Sequence, residues 1–207
     1  MYRKFSEQEM ASKKLKVVLF LGSTREGRMG LRVAKFIQGQ LESKNFQVEL
    51  FDPVTLKFPV FEKALHHYQD RSKIPKWMVD CETKVKEADA YVVVSAEYNH
   101  SIPPALSNMM SHFGPALYSY KPTGIVSYSM GPFGGMRAAM QLRCFLSELG
   151  TLSVSNIFGI PEVHKALDES GKPLNDHMVS GAERLISQLD WMSWAMKNHR
   201  DKNGVPK

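Results

Sequence analysis

Cysteine is nearly absent from this chain. Two thiols, Cys81 and Cys144, in 207 residues leave no CxxC pair and no metal-ligand spacing, and they favour a reduced, cytoplasmic setting over a disulfide framework. No run of about 18 apolar residues occurs, so no helical membrane span is expected. The opening stretch MYRKFSEQEMASKKL lacks the apolar centre of a secretory signal and reads as a flexible arm over residues 1–14. Acidic residues are in deficit: 21 Asp and Glu against 27 Lys and Arg give a net charge of +6. That balance suits anionic small molecules. Nucleic acid is not indicated, because no Lys/Arg block or basic-aromatic interleaving exists. Part of the surplus lies near the chain ends (Arg3, Lys4, Lys13, Lys14, Lys197, Arg200, Lys202 and Lys207), as an ordinary solvated surface also requires.

What the chain does have is alternation. Apolar runs at 16–21, 46–51, 90–95, 122–129 and 152–158 read as strands, and continuous apolar character marks strands covered on both faces. Between them lie helical stripes. Val33, Ala34, Ile37 and Leu41 make the first, and residues 76–87 make another. Pro103 or Pro104 opens a helix through Met110. Met136, Ala139, Leu142, Leu146 and Leu149 form a stripe that Gly150 ends. The last helix spans about 174–197, burying Leu185, Ile186, Leu189, Met192 and Met196. Residues 53–75 are irregular, and 168–173 suggest an exposed turn. Five βα units without repeats predict one α/β domain over 15–198: a three-layer sandwich with a five-stranded parallel sheet in the order 2-1-3-4-5. Residues 199–207 read as a flexible tail. Ligands of such sheets bind beyond the carboxyl ends of the strands, near the switch point between strands one and three.

Three loops reach that edge, and they are the most unusual stretches of the chain. The first, GSTREGRM at 22–29, nearly matches a triphosphate loop, GxxxxGK[ST], but Arg28 replaces the lysine and Met29 the magnesium-binding hydroxyl. The GxGxxG fingerprint fails too. Hydroxyls, two arginines and a helix start remain, which suits one phosphate monoester held without metal. An ordinary turn with a surface arginine is the plainer alternative. The second loop, SAEYNHSIPPAL, offers an aromatic face in Tyr98 and an amide in Asn99 that can match a heterocycle edge. Ser101 also suits a helix cap, and His100 a structural histidine. In the third, SYSMGPFGGMRAAM, Gly131, Gly134 and Gly135 let backbone approach a ligand. Together the loops fit a phosphorylated, planar, hydrogen-bonding molecule such as FMN.

These stretches also carry a likeness. GSTREGRMG, SAEYNHSIPPALSN and SMGPFGGMRAAMQLR resemble the NADPH-dependent FMN reductase family over roughly residues 15–195, with Glu-Tyr-Asn-His-Ser as the most specific run. The resemblance implies a flavodoxin-like fold and a homodimer that reduces quinones or similar small acceptors. It implies that Ser23, Arg25, Arg28, Met29 and Gly30 surround the phosphate, partly through amides. Some members carry Ser where this chain has Arg28. It further implies that Glu97, Tyr98, Asn99, His100 and Ser101 line the ribityl chain and ring, with Ser129, Gly131, Gly134 and Gly135 closing the far side.

The expected activity is a two-electron, ping-pong transfer from NADPH or NADH through FMN to a small-molecule acceptor, with both partners using one place in turn and no side chain assigned as acid or base. Two other functions share the pocket. A one-electron carrier would favour an acidic surface and a loop without arginines; a flavin-bound regulatory module is not distinguished by sequence. A phospho-acceptor regulator would need acidic residues where Gly22, Ser23 and Ser95 stand. Trp191, Trp194 and Ala195, off the core stripe of the last helix, and the crowded run Met109-Met110-Ser111-His112-Phe113 have two readings, dimer contacts or burial against the monomer's own sheet.

Overall fold

The computed structural model describes residues 14–206, so the expected arm lies, except for Lys14, outside the described residues. Five strands form the sheet: β1 (Leu15–Leu21), β2 (Phe46–Phe51), β3 (Ala90–Ala96), β4 (Pro122–Tyr128) and β5 (Leu152–Ile160). All neighbours pair in parallel, in the order β2-β1-β3-β4-β5. This is the expected flavodoxin-like order.

The strands read as unbroken apolar runs because successive side chains enter different cores. Val17, Leu19 and Leu21 of β1, with Val92 and Val94 of β3, pack with α1 (Gly30–Ser43) and α8 (Asp176–Asn203). Val18 and Phe20, with Tyr91 and Val93, face the opposite layer. That layer comprises α3 (Lys76–Glu87), α4 (Pro104–Ser111), the short α5 (Pro115–Tyr118) and α6 (Met136–Glu148). Two further short helices, α2 (Pro53–Leu56) and α7 (Val163–Ala166), lie in the connections after β2 and β5.

Three sequence expectations need correction. Strand β5 continues to Ile160, where its last residues pair with Ser127 and Tyr128 of β4. Helix α8 runs to Asn203, well past residue 197 and through the first part of the expected tail. Arg200 fixes that extension, donating to the Tyr120 carbonyl at 2.5 Å and approaching Asp89 at 3.8 Å. Of the two readings of the Met109–Phe113 run, dimer contact gives way to burial: Met109, Met110, His112 and Phe113 are all buried in the monomer's own core.

Candidate cofactor site

The loop after β1 is shaped by an ion pair that crosses to β2. Arg28 donates from Nη1 to the Ser23 carbonyl at 2.6 Å and to Asp52 Oδ1 at 2.7 Å, and from Nη2 to Asp52 Oδ2 at 2.5 Å. The two side chains are only 11% and 10% exposed, so Arg28 does not simply face solvent. Asp52 in turn accepts the Val54 amide at 2.9 Å and caps α2. The Arg28–Asp52 pair therefore joins the end of β2 to both ends of the 23–28 loop. A bidentate fork of this kind fixes geometry as well as charge.

Inside that frame the loop presents a row of backbone donors. Among the described residues, the amides of Thr24, Arg25, Glu26, Gly27 and Gly30 have no protein acceptor. Helix α1 begins without a capping side chain and without an acid in its first turn. A helix start with free amides and a positive dipole end favours an anion. Arg25 supplies the free cation beside it, its guanidinium 4.0 Å from the centre of the Tyr98 ring. Ser23, buried, shares a 2.5 Å hydrogen bond with the Tyr98 hydroxyl. Loops one and two are thereby joined at one point.

Loop two is a tight turn. The Tyr98 and Ser101 backbones exchange hydrogen bonds of 3.1 and 2.9 Å, and Asn99 and His100 both take left-handed φ, 51° and 60°. Two successive left-handed residues are the signature of a type I′ turn, and asparagine tolerates that region better than most residues. The conformation leaves Asn99 and His100 exposed at the tip. Ser101 does not cap α4, which opens behind Pro103 without a capping side chain. Its hydroxyl instead donates to Gln141 Oε1 at 2.6 Å, and Gln141 Nε2 donates to the His100 carbonyl at 3.0 Å. Glu97 is turned toward α6, where it accepts the Arg137 and Ala138 amides at 2.9 and 3.2 Å and the Arg137 guanidinium at 3.2 Å. Burial pushes the Glu97 carboxyl up, but these donors outweigh it and the net shift is downward.

Loop three closes the edge. Ser129 and Gly131 are tied to the segment after β5 through Ile160, Glu162 and Val163. Gly134 and Gly135 both take positive φ, and a Cβ on Gly135 would stand 2.8 Å from the Tyr128 carbonyl oxygen. Tyr128 ends β4 and reaches under loop one, where a Cβ on Gly30 would meet its hydroxyl at 2.4 Å. Desolvation raises the Tyr128 phenol to about 12, against the hydrogen bond from Ser23. That keeps the phenol in its neutral form across the physiological range.

All fourteen residues singled out in the sequence thus lie in three loops at one sheet edge, and contacts among Ser23, Arg25, Tyr98, Gly30 and Tyr128 bring the loops together. Sequence reading missed Asp52, Tyr128 and Gln141. Asp52 follows the second strand directly, and nothing local in the sequence pairs it with Arg28. Tyr128 reads as one more apolar strand residue, and Gln141 as a polar position on a helix.

Comparison with known proteins agrees with this geometry. Residues 15–165 match the family model for NADPH-dependent FMN reductase. The chain belongs to that family. It is accordingly an oxidoreductase that uses FMN and a reduced nicotinamide. A quinone reductase of Escherichia coli K12 is 30% identical over 138 residues, 65% of this chain and 71% of that protein. The NADH:(hydroxy)cinnamate reductase subunit CrdA of Vibrio ruber is 26% identical over 175 residues, 82% of each. Among solved structures, FerB, a flavoenzyme NAD(P)H:(acceptor) oxidoreductase of Paracoccus denitrificans, superposes with a TM-score of 0.68 at 19% identity, covering 89% of this chain and 98% of its own. An archaeal flavodoxin shares the fold at a TM-score of 0.53 and 16% identity, covering 88% of this chain and 98% of its own.

Proposed function

We propose that the protein reduces quinones or similar small planar acceptors, with NAD(P)H and acceptor occupying the same open site in turn. The observation that carries this reading is the set of unpartnered amides at the start of α1 beside the free Arg25 guanidinium and the Tyr98 ring. It is a place for a phosphate next to a flat surface. FMN supplies the two-electron chemistry when bound. Ser23, Arg25 and the amides of Met29 and Gly30 hold its phosphate, while Arg28 acts mainly by fixing the loop through Asp52 and the Ser23 carbonyl. Tyr98, Asn99, His100 and Ser101 border the ribityl chain and ring, joined by the Glu97 backbone. Ser129, Gly131, Gly134 and Gly135 border the far side, where glycine amides can stabilise negative charge. The residues bind, orient and polarise; none is assigned as an acid or base.

The 30% identity to a quinone reductase supports the acceptor class. A net charge of +6 disfavours the acidic one-electron carrier. A homodimer is supported by Trp191, 74% exposed on α8, since a tryptophan so placed usually has a partner. Cytoplasmic residence accords with the free cysteines Cys81 and Cys144. Among the described residues no helix is long and apolar enough to cross a membrane.

The test combines an FMN titration with steady-state kinetics. Arg25→Ala should weaken FMN binding by about 10- to 100-fold, the loss of a charge-assisted phosphate contact, while leaving the melting temperature unchanged. Initial rates of the native enzyme at varied NADPH and quinone should give parallel double-reciprocal lines. Equal FMN retention by the variant would refute the phosphate assignment, and intersecting lines would refute the shared site.

A further inference from the structure

Beside this site, and sharing Gly134 of loop three with it, a cavity of about 280 Å³ opens at the free edge of β5, between the outer side of that loop and the first turns of α8. Its walls include Phe133, Met136, Phe158, His177 and Arg184, with Asn156 at its end. The edge strand is closed off on both sides of it. Arg143 donates to the Val154 and Ser155 carbonyls at 3.3 and 2.7 Å, and Gln188 accepts the Asn156 amide at 2.8 Å. At the other end, His177 Nε2 lies 3.1 Å from the Gly159 carbonyl. Between these clamps the Asn156 side chain has no hydrogen-bond partner among the described residues.

The floor is shaped by glycine. A Cβ on Gly181 would stand 2.3 Å from the Phe158 ring, and one on Gly159 would stand 2.9 Å from Met136 Sδ. Bare backbone there lets the Phe158 ring lie against α8, with the His177 ring 5.6 Å away, centroid to centroid. Phe158 is thereby buried, and the groups left open on the slot are the Phe133 ring, the His177 ring and the Met136 thioether.

His177 and Arg184 are seven residues apart and share a face of α8. No carboxylate lines the cavity. Arg184 uses only Nε, toward the Ser180 carbonyl at 3.3 Å. Among the described residues, the terminal nitrogens of the other arginines, Arg25 apart, are engaged. Arg28, Arg32, Arg71, Arg137 and Arg200 each meet a carboxylate, and Arg143 meets carbonyls. Among the described residues only Arg25 and Arg184 leave that fork free, and Arg25 stands where a phosphate is proposed. A free fork over an aromatic slot fits a planar organic anion, the guanidinium taking the carboxylate in two parallel bonds.

We propose that this cleft binds a small aromatic carboxylate, its ring against the exposed Phe133 and His177 and its carboxylate on Arg184. The inference does not rest on the flavin reading, although the ligand would pack against the outer side of loop three.

The experiment is calorimetric titration of 2-naphthoate into the FMN-loaded protein, or into the protein as purified if it holds no FMN. Expected is one molecule bound per chain, with affinity reduced at least tenfold for the neutral 2-naphthamide. Arg184→Gln should reduce naphthoate affinity by a similar factor and leave FMN affinity and melting temperature unchanged. Equal affinity for acid and amide, indifference to Arg184→Gln, or no binding at all overturns the proposal. So does competition between naphthoate and the quinone, which would place the acid in the acceptor site. Loss of a dimer in Arg184→Gln, read by sedimentation, would instead make this face a contact between copies and would also overturn it.

Discussion

Arg28 shows how one side chain can serve a binding site without pointing into it. Its fork closes on Asp52 and the Ser23 carbonyl, so the loop is held in shape before any anion arrives. Pre-set geometry of this kind lowers the ordering cost of binding. Asp52→Asn would leave a nearly buried guanidinium without its counter-charge, and urea unfolding should show a loss of about 3 kcal/mol, the usual scale for a broken buried pair. FMN affinity should fall with it. The double variant Arg28→Met/Asp52→Leu should recover much of the stability and little of the FMN affinity. Full recovery of both would show that the pair is packing alone. Arg28→Lys should not rescue the loop, because an ammonium cannot bridge both carboxylate oxygens and the Ser23 carbonyl in one plane.

At the scale of elements, α6 is the support on which loop two rests. Glu97 and Gln141 bind the loop to that helix from opposite ends of the Tyr98–Ser101 turn. Glu97 is also the carboxylate that α6 lacks in its own first turn. Glu97→Gln should cost about 1 kcal/mol of stability, a cap's worth. Because the native carboxyl is held below its ordinary range, its contribution is present above the unfolded carboxylate pKa and fades as pH falls through the folded value. The stability gap between native protein and variant should therefore close under acid, and denaturant midpoints across pH 3–7 would show it. Much of this was legible in sequence. Strand runs, helix stripes and Gly150 gave the order of elements, since each rests on a local period or stop signal. The capping partners were not legible: Glu97 lies forty residues from Arg137, and no local pattern pairs them. The end of α8 was missed for a similar reason. Its last turns are polar, and a tertiary bond from Arg200 to Tyr120 holds them.

The whole molecule is polar along its strands. At the amino ends of the sheet, charges are tied down: Asp89 meets Lys197 and Arg200, and Lys121 donates to the Val85 and Lys86 carbonyls and to the Tyr91 hydroxyl. At the carboxyl ends the Arg28–Asp52 and Glu97–Arg137 pairs hold the loops, and among the described residues loop-one amides and the Arg25, Asn99 and His100 side chains have no hydrogen-bond or ion-pair partner. Stability is concentrated at one edge and binding at the other. Burial, reinforced by the Arg200 charge, pushes the Lys121 ammonium down to about 7. Between that value and the ordinary lysine range the unfolded chain binds the extra proton, so this group makes the fold more stable as pH rises from about 7 to 10. Lys121→Met should remove that upward slope in chemical denaturation, and an unchanged slope would assign it to other groups.

The open edge carries the central claim, that one flavin site passes two electrons from a nicotinamide to a quinone. The most direct measurement is anaerobic visible spectroscopy of the FMN-loaded protein through both half-reactions. One equivalent of NADPH or NADH per flavin should bleach the oxidised band, and one equivalent of quinone, added after the nicotinamide is spent, should restore it fully. A protein that holds no FMN, or a bound flavin that neither nicotinamide bleaches, would contradict the account.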